Sequence, residues 1–285
     1  MTIIDGKETA NKIKDELKIE IESLEKATGK VPGLAVILVG ENPASQIYVN
    51  SKIKSCEAVG IKSFHCILKD DVSEEELLKK IEEYNNNVEV DGILVQLPLP
   101  KNIDEKNIIN KIALSKDVDG FKPENLGLLF LGDEKSLKPC TPAGIMELLS
   151  KYSIEIRGKN VTIIGRSNIV GKPMAGFMIN ASGTVTVCNS NTKDIEERIK
   201  EADILIVAIG QANYIKKDMI KKGVVIIDVG INRNSNGICG DVDYKDVENI
   251  VSYITPVPGG VGPMTIAMLL KNTVQAFKNN KNIGV

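Results

Sequence analysis

Histidine is almost missing from this chain: His65 is the only one in 285 residues. That excludes a mechanism built on two histidines and a His-rich metal site. The residue itself stands in the strand-like run "IKSFHCIL" (61–68) and is expected to be a partly buried strand residue. General acid–base work must therefore fall to Lys, Tyr, Asp, Glu or Cys. Cysteine is sparse too. Cys56, Cys66, Cys140, Cys188 and Cys239 are odd in number and free of C-x-x-C spacing, which argues against a disulfide framework or a zinc site and fits a reducing cytosol. They are expected to be structural or incidental thiols.

Long apolar runs are lacking as well. None approaches the about 18 residues of a membrane span, and "MTIIDGKETANKIKDELK" has no basic segment leading into an apolar one. The expectation is a cytoplasmic protein with no membrane partner and no metal. A net charge of -2 and a pI near 5.7 argue against a broad nucleic-acid surface. Small molecules are the expected partners.

What is present is enough apolar material, 42% of residues, for two moderate cores, and the length exceeds the roughly 100 to 200 residues of one domain. From Gly6 to Thr28 the apolar positions Ala10, Ile13, Leu17, Ile21 and Leu24 recur at three- and four-residue steps, which predicts one amphipathic helix ending at Gly29. "LAVILVG" (34–40) reads as a strand covered on both faces. A helix closed by Gly60, a strand over 61–68, a helix over 73–85, a strand from 91 and a short helix near 103–112 follow. A second cycle brings strands over 160–165, 184–188, 203–210 and 224–230 with helices over 171–181 and 193–201, and the chain ends in a helix entered through glycines. Strands alternating with helices imply an α/β protein with mostly parallel sheet, its second half a mononucleotide-binding pattern.

"GRSNIVGKPMA" (165–175) lies between an apolar strand and a helix, where a phosphate loop places its backbone N–H groups. Gly165 permits the tight turn, Gly171 lets the helix approach the strand, and Pro173 suits the first helical turn. The next strand ends "TVCNSNT", without the acid that holds a ribose 2′-hydroxyl in NAD sites, while Arg166 and Ser190 could hold a 2′-phosphate. NADP is expected over NAD.

In the first half, "YVNSK" pairs Tyr48 and Lys52 on one helix face. The same spacing forms the dyad of short-chain dehydrogenases, yet here it precedes the nucleotide loop, and on a solvated helix it could mean nothing. Gln96 ends the apolar strand of "DGILVQLPLP" and needs a polar partner, which a lysine could supply. "KDVDGF" (116–121) adds Asp117 and Asp119, of which Asp117 is the more readily a solvated turn residue. "TPVPGGVGPMT" (255–265) brings Gly259, Gly260 and Gly262 to a helix start, allowing a planar ligand to approach the backbone.

Together "YVNSK", "DGILVQLPLP", "KDVDGF", "PCTPAGIMELL", "GRSNIVGKPMA", "DVGIN" and "TPVPGGVGPMTIAMLL" resemble the bifunctional methylenetetrahydrofolate dehydrogenase/cyclohydrolase family, in motif order from about residue 1 to residue 280. The resemblance implies two α/β domains with a cleft between them. One is a folate-binding catalytic domain over 1–140, onto which helix 262–285 packs back; the other is a Rossmann-like NADP-binding domain over 141–261. It implies that Lys52 is the acid–base, that Tyr48 lines the folate, that Gln96 holds the lysine and that Asp119 binds the pterin. Leu97, Pro258 and Gly259 join the substrate contacts, and Gly165, Arg166, Ser167, Ser190 and Ile231 match the NADP contacts. It further implies a homodimer formed through the nucleotide domains. One departure is Asn189 and Asn191, where many members carry His and Lys beside the serine. A dehydrogenase of another small substrate and a non-catalytic nucleotide sensor are the competing classes; neither explains Lys52, Gln96 and Asp119 together.

Overall fold

The computed structural model describes residues 1–235 and 237–283. In chain order the elements are β1 (Thr2–Ile3), α1 (Gly6–Thr28), β2 (Gly33–Val39), α2 (Pro43–Val59), β3 (Lys62–Leu68), α3 (Glu74–Asn86), β4 (Gly92–Val95), α4 (Glu105–Lys111), α5 (Pro123–Phe130) and α6 (Cys140–Lys151). They continue with β5 (Asn160–Ile164), α7 (Gly171–Asn180), β6 (Thr184–Cys188), α8 (Ile195–Glu201), β7 (Ile204–Val207), β8 (Val225–Asp228), β9 (Asn232–Asn234), β10 (Gly237–Cys239), α9 (Tyr244–Val247), β11 (Tyr253–Ile254) and α10 (Val261–Lys281). The helices and strands read from periodicity are all there, within a few residues at their ends.

The chain forms two compact units. The first comprises Lys12–Gly127, Lys135–Cys140 and the residues from Ile266 on; the second comprises Met1–Asn11, Leu128–Glu134 and Thr141–Thr265.

The first unit holds a parallel sheet in the order β3-β2-β4. Its central strand β2 is buried at every position, which is why its sequence is apolar without alternation. Ala35, Ile37 and Val39 pack with Leu77 and Ile81 of α3 and Ile108 of α4 on one side, while Leu34, Val36 and Leu38 are buried on the other. Helix α3 opens with a full capping box, Ser73 and Glu76 each accepting from the other's backbone N–H. His65 lies on the edge strand β3 and is exposed. This corrects the expected partial burial: an edge strand needs no apolar side chain on its solvent face.

The second unit holds a six-stranded parallel sheet, order β1-β11-β8-β7-β5-β6. The order steps outward in both directions from β5 and β7, which is the doubly wound pattern with its ligand edge at the strands' carboxyl ends. Residues 1–4 belong here because β1 pairs with β11, through Thr2↔Tyr253 and Ile3↔Ile254. Leu205, Val207 and Ile226 form its core with Ile199 and Val247. The sequence reading left unassigned the short strands β1 and β11, the β9–β10 hairpin and helices α5, α6 and α9. No helix among the described residues is long and apolar enough to cross a membrane.

Candidate active site

In the first unit the site begins with the register of α2. Ser45, Val49, Cys56 and Val59 are buried, a stripe at four-, seven- and three-residue steps that faces inward. Lys52 falls in the gap of that stripe, between Val49 and Cys56, and is half-buried. Tyr48 stands one turn earlier and is 45% exposed.

Lys52 Nζ donates to Gln96 Oε1 at 2.9 Å. Gln96 directly follows β4, where its backbone N–H donates to Ile37 O at 2.8 Å. Its Nε2 donates to the Leu97 carbonyl at 2.6 Å, so the amide oxygen is the atom turned to the lysine. The Leu97–Pro98 peptide is cis.

Asp119 completes the cluster. Burial pushes its carboxyl up to about 6, with the Lys52 charge pulling it down and the Asp117 charge raising it further. A lysine that interacts electrostatically with the same carboxyl places Lys52 and Asp119 in one neighbourhood.

The "KDVDGF" segment is held from three sides. Asp117 is buried and accepts from the backbone N–H of Phe121 (3.2 Å) and Lys122 (2.9 Å) and from Asn125 Nδ2 (2.7 Å). It is a loop-forming group, not the solvated turn residue that the sequence suggested; its burial raises its carboxyl above the usual range. Asn272 of α10 donates to Val118 O at 2.7 Å and to Lys138 O at 2.8 Å. Gly120 has φ +71° and lies so close to this second strand of chain that a Cβ would stand 2.5 Å from Lys138 C.

Cys140 is one of the expected structural thiols: it is buried and its Sγ donates to Val118 O at 3.3 Å. Burial pushes the Cys140 thiol well above its ordinary value, and burial pushes Cys56 up to about 12. Both are neutral thiols at pH 7, packing against the cluster without nucleophilic character. Sequence reasoning missed Asn272. A lone Asn on a helix face carries no signal of its partners.

In the second unit the turn after β5 has the predicted glycines where backbone contact demands them. Gly165 is buried with φ +123°, and a Cβ on it would stand 2.3 Å from Ala208 O. A Cβ on Gly171 would stand 2.1 Å from Gly165 O. Strands β5 and β6 pair Ile164 with Cys188, and Arg166 and Ser190 each follow that pair by two residues at the carboxyl edge. Both are exposed. Asn189 and Thr192 shape the turn that carries Ser190: the Asn189 N–H donates to Thr192 Oγ1 at 2.9 Å and the Asn191 N–H to Asn189 Oδ1 at 3.0 Å. Ser167 Oγ accepts from the N–H groups of Val170 (3.0 Å) and Gly171 (3.4 Å), so its hydroxyl caps the entry to α7. Ile231 follows β8 at the same edge and is 53% exposed.

The donor set fits a nicotinamide dinucleotide carrying a 2′-phosphate: a buried glycine turn opening a helix, a guanidinium and a hydroxyl beside it, and no carboxylate among Asn189, Ser190 and Asn191. Among the described residues no group of His, Cys, Asp and Glu side chains could hold a metal ion.

The Pro258–Gly259 stretch is also in this unit. The Gly259 carbonyl accepts from the Lys7 N–H at 2.9 Å, and Gly259 has φ +108°. Gly260 serves packing: a Cβ there would stand 2.5 Å from Pro256 O. Gly262 is the open one, with only Ile231 Cδ1 near it, at 3.9 Å.

Family models match both parts of the sequence. Residues 4–119 match the tetrahydrofolate dehydrogenase/cyclohydrolase catalytic domain and residues 139–281 the NAD(P)-binding domain of the same family. The chain belongs to that family. A protein of Campylobacter hominis called bifunctional protein FolD is 56% identical over 280 residues, 98% of each chain. The crystal structure of the bifunctional methylenetetrahydrofolate dehydrogenase/cyclohydrolase of Campylobacter jejuni superposes with a TM-score of 0.96 at 54% identity, covering 98% of this chain and 99% of that one. The Trypanosoma brucei enzyme, solved with NADP cofactor and an inhibitor, gives a TM-score of 0.94 at 38% identity, covering 100% and 99%. Lys52, Gln96 and Asp119 fall within the stretch that matches the catalytic domain, and the glycine turn within the stretch that matches the NAD(P)-binding domain.

Proposed function

We propose that the chain oxidises 5,10-methylenetetrahydrofolate to 5,10-methenyltetrahydrofolate with NADP and then hydrolyses the product to 10-formyltetrahydrofolate, serving one-carbon metabolism. The observation that carries this reading is the Lys52–Gln96 hydrogen bond beside the Asp119 carboxyl, in a unit other than the one with the dinucleotide turn. A lone dehydrogenase has no need of a held lysine there.

NADP, when bound, supplies the acceptor for the two electrons and the hydrogen that leave the bridging methylene. Gly165 admits its backbone-hugging phosphates, Arg166 and Ser190 take the 2′-phosphate, and Ile231 and the Ser167 turn line it. Oxidation leaves a cation shared by two folate nitrogens, so this step asks for positioning more than for a base. Asp119 positions the pterin by accepting from its amino and ring N–H groups, with Tyr48 and Leu97 of the same unit as further contacts.

Hydrolysis does need proton transfer. Water adds to the methenyl carbon, and Lys52 Nζ takes the proton that the water loses. The hydroxyl left on the carbon loses its proton to solvent as it becomes the formyl C=O, the carbon–nitrogen bond to the pterin-side nitrogen breaks, and Lys52 gives its proton to that nitrogen. Gln96 orients Nζ while adding no charge of its own. The formyl group stays on the other nitrogen, and one proton is released overall.

We place folate binding in the unit built on β3-β2-β4 and NADP binding in the other, and we read the protein as a cytoplasmic homodimer. The exposed outer strand β6 of the larger sheet supports the dimer: Val187, Ile179, Phe130 and Leu131 are exposed apolar side chains of that unit.

The test is a spectrophotometric assay following NADPH and the methenyl product with NAD and NADP in parallel. The reading expects NADPH formation followed by decay of the methenyl signal. No reduction of NADP in the presence of methylenetetrahydrofolate would overturn it.

A further inference from the structure

"GDVD" (240–243) plays no part in the reading above, yet it holds a wholly buried carboxylate, Asp241, at 0% exposure. Asp241 Oδ2 accepts from the backbone N–H of Ile209 at 2.8 Å and of Gly210 at 3.0 Å. Its Oδ1 accepts from the Gln211 N–H and from Asn232 Nδ2, both at 2.8 Å. Three successive N–H groups turned to one point form a concave anion site of the kind that phosphates occupy. Here the chain fills it with its own side chain.

The placement matters more than the bonds. Residues 209–211 follow β7 and Asn232 opens β9 after β8, so one carboxylate ties the loop after β7 to the start of the β9–β10 hairpin. Ala208, next to the first loop, is the residue whose carbonyl leaves Gly165 no room for a side chain. Ile231 is the neighbour of Asn232. Asp241 is itself fixed from behind: its N–H donates to Asp228 Oδ1 at 3.0 Å and the Val242 N–H to Asp228 Oδ2 at 2.9 Å. Glycines close the space on both sides, since a Cβ on Gly230 would stand 2.2 Å from Asp241 Cγ and one on Gly240 1.8 Å from Asp228 Oδ2.

We propose that Asp241 is a positioning residue of the dinucleotide site, setting the backbone of 208–211 and 231–232 against which NADP lies without touching it. The proposal rests on the reading of Gly165 and Ile231 as NADP contacts. An amide at this position keeps one acceptor and turns an NH2 group at backbone donors, which costs a charge-assisted bond and adds a repulsion.

The experiment measures NADP binding to the full chain by calorimetry, and separately the hydrolysis of methenyltetrahydrofolate with no dinucleotide present. Asp241→Asn is expected to raise the NADP Kd by roughly tenfold or more, the worth of one such bond, with hydrolysis within about twofold of the unsubstituted rate. Asn232→Ala removes one of the four bonds and leaves the backbone partners in place, so it is expected to raise the Kd about three- to fivefold; it decides the matter alone if Asp241→Asn does not fold. NADP binding unchanged in the folded variants overturns the proposal. So does a parallel fall in hydrolysis, which would mark Asp241 as a general stability element. Failure of the unsubstituted protein to bind NADP would overturn the dinucleotide reading, and this proposal with it.

Discussion

Lys52 Nζ is held by Gln96 through a 2.9 Å hydrogen bond to a neutral amide oxygen whose orientation is set by the Leu97 carbonyl. A neutral amide aims the nitrogen without adding a charge of its own.

Lys52→Met is expected to lower hydrolysis of the methenyl substrate by about a hundredfold or more, the contribution of a placed proton carrier. Gln96→Ala should lower it by about tenfold, since Lys52 stays but is no longer aimed. Decay of the methenyl absorbance reads both, and full hydrolysis by Lys52→Met would remove the lysine from the mechanism.

Folate affinity should depend on the charge of Asp119. Burial pushes its carboxyl up to about 6 by disfavouring the charge, and the ionised form is the one that accepts from pterin N–H groups. The KM for folate is therefore expected to be flat above pH 7 and to rise by about tenfold per unit below about pH 6. The linkage to stability runs the other way: a raised folded-state value means that stability is lost as pH rises from about 4 to about 6. Asp119→Asn should abolish the acid limb of the KM profile and raise the melting temperature at pH 7. A KM profile unchanged by the substitution would sink the assignment.

Gly165→Ala places a methyl group 2.3 Å from the Ala208 carbonyl at φ +123°, a strain of about 1 to 3 kcal/mol. The turn must move, so NADP affinity should fall at least tenfold while hydrolysis without dinucleotide persists. Equal NADP affinity in a calorimetric titration would show that the turn does not carry the phosphates.

Arg166→Ala should separate the two cofactors. Loss of the guanidinium is expected to raise the Kd for NADP by about ten- to a hundredfold and to leave the Kd for NAD within about twofold. A uniform loss of both would mean that Arg166 serves the shared part of the dinucleotide.

Val187→Lys puts a charge on the exposed face of the outer strand β6, where the valine is 39% exposed. If the dimer forms there, light scattering behind a sizing column should find monomers at concentrations where the unsubstituted chain is dimeric. A variant that remains dimeric would move the interface elsewhere.

Much of this was legible in local pattern. Strand β2 announced its double burial by an unbroken apolar run, α1 its length by three- and four-residue steps, and the β5–α7 turn its glycines by position. Chemistry was legible where a polar residue interrupts an apolar rule, as Gln96 does at the end of β4. Periodicity could not register β1 and β11, because two residues are too few to show a period and the strands exist through pairing, β1 with β11 and β11 with β8.

The sequence by itself determined the α/β class, the order of the elements, the nucleotide turn and, through motif order, the family. Tertiary structure alone decided which side chains act on one another. Asp117 became a buried loop former, Cys140 a donor to Val118 O, and His65 an exposed edge residue. Asn272 became the clamp between 118 and 138, and Asp241 the link between the loop after β7 and the start of β9. The Asn272 and Asp241 links join segments distant in the chain, and the Asp117 and His65 placements depend on how the surrounding chain packs. A one-dimensional pattern records burial and period, but not which distant partner a polar group will meet.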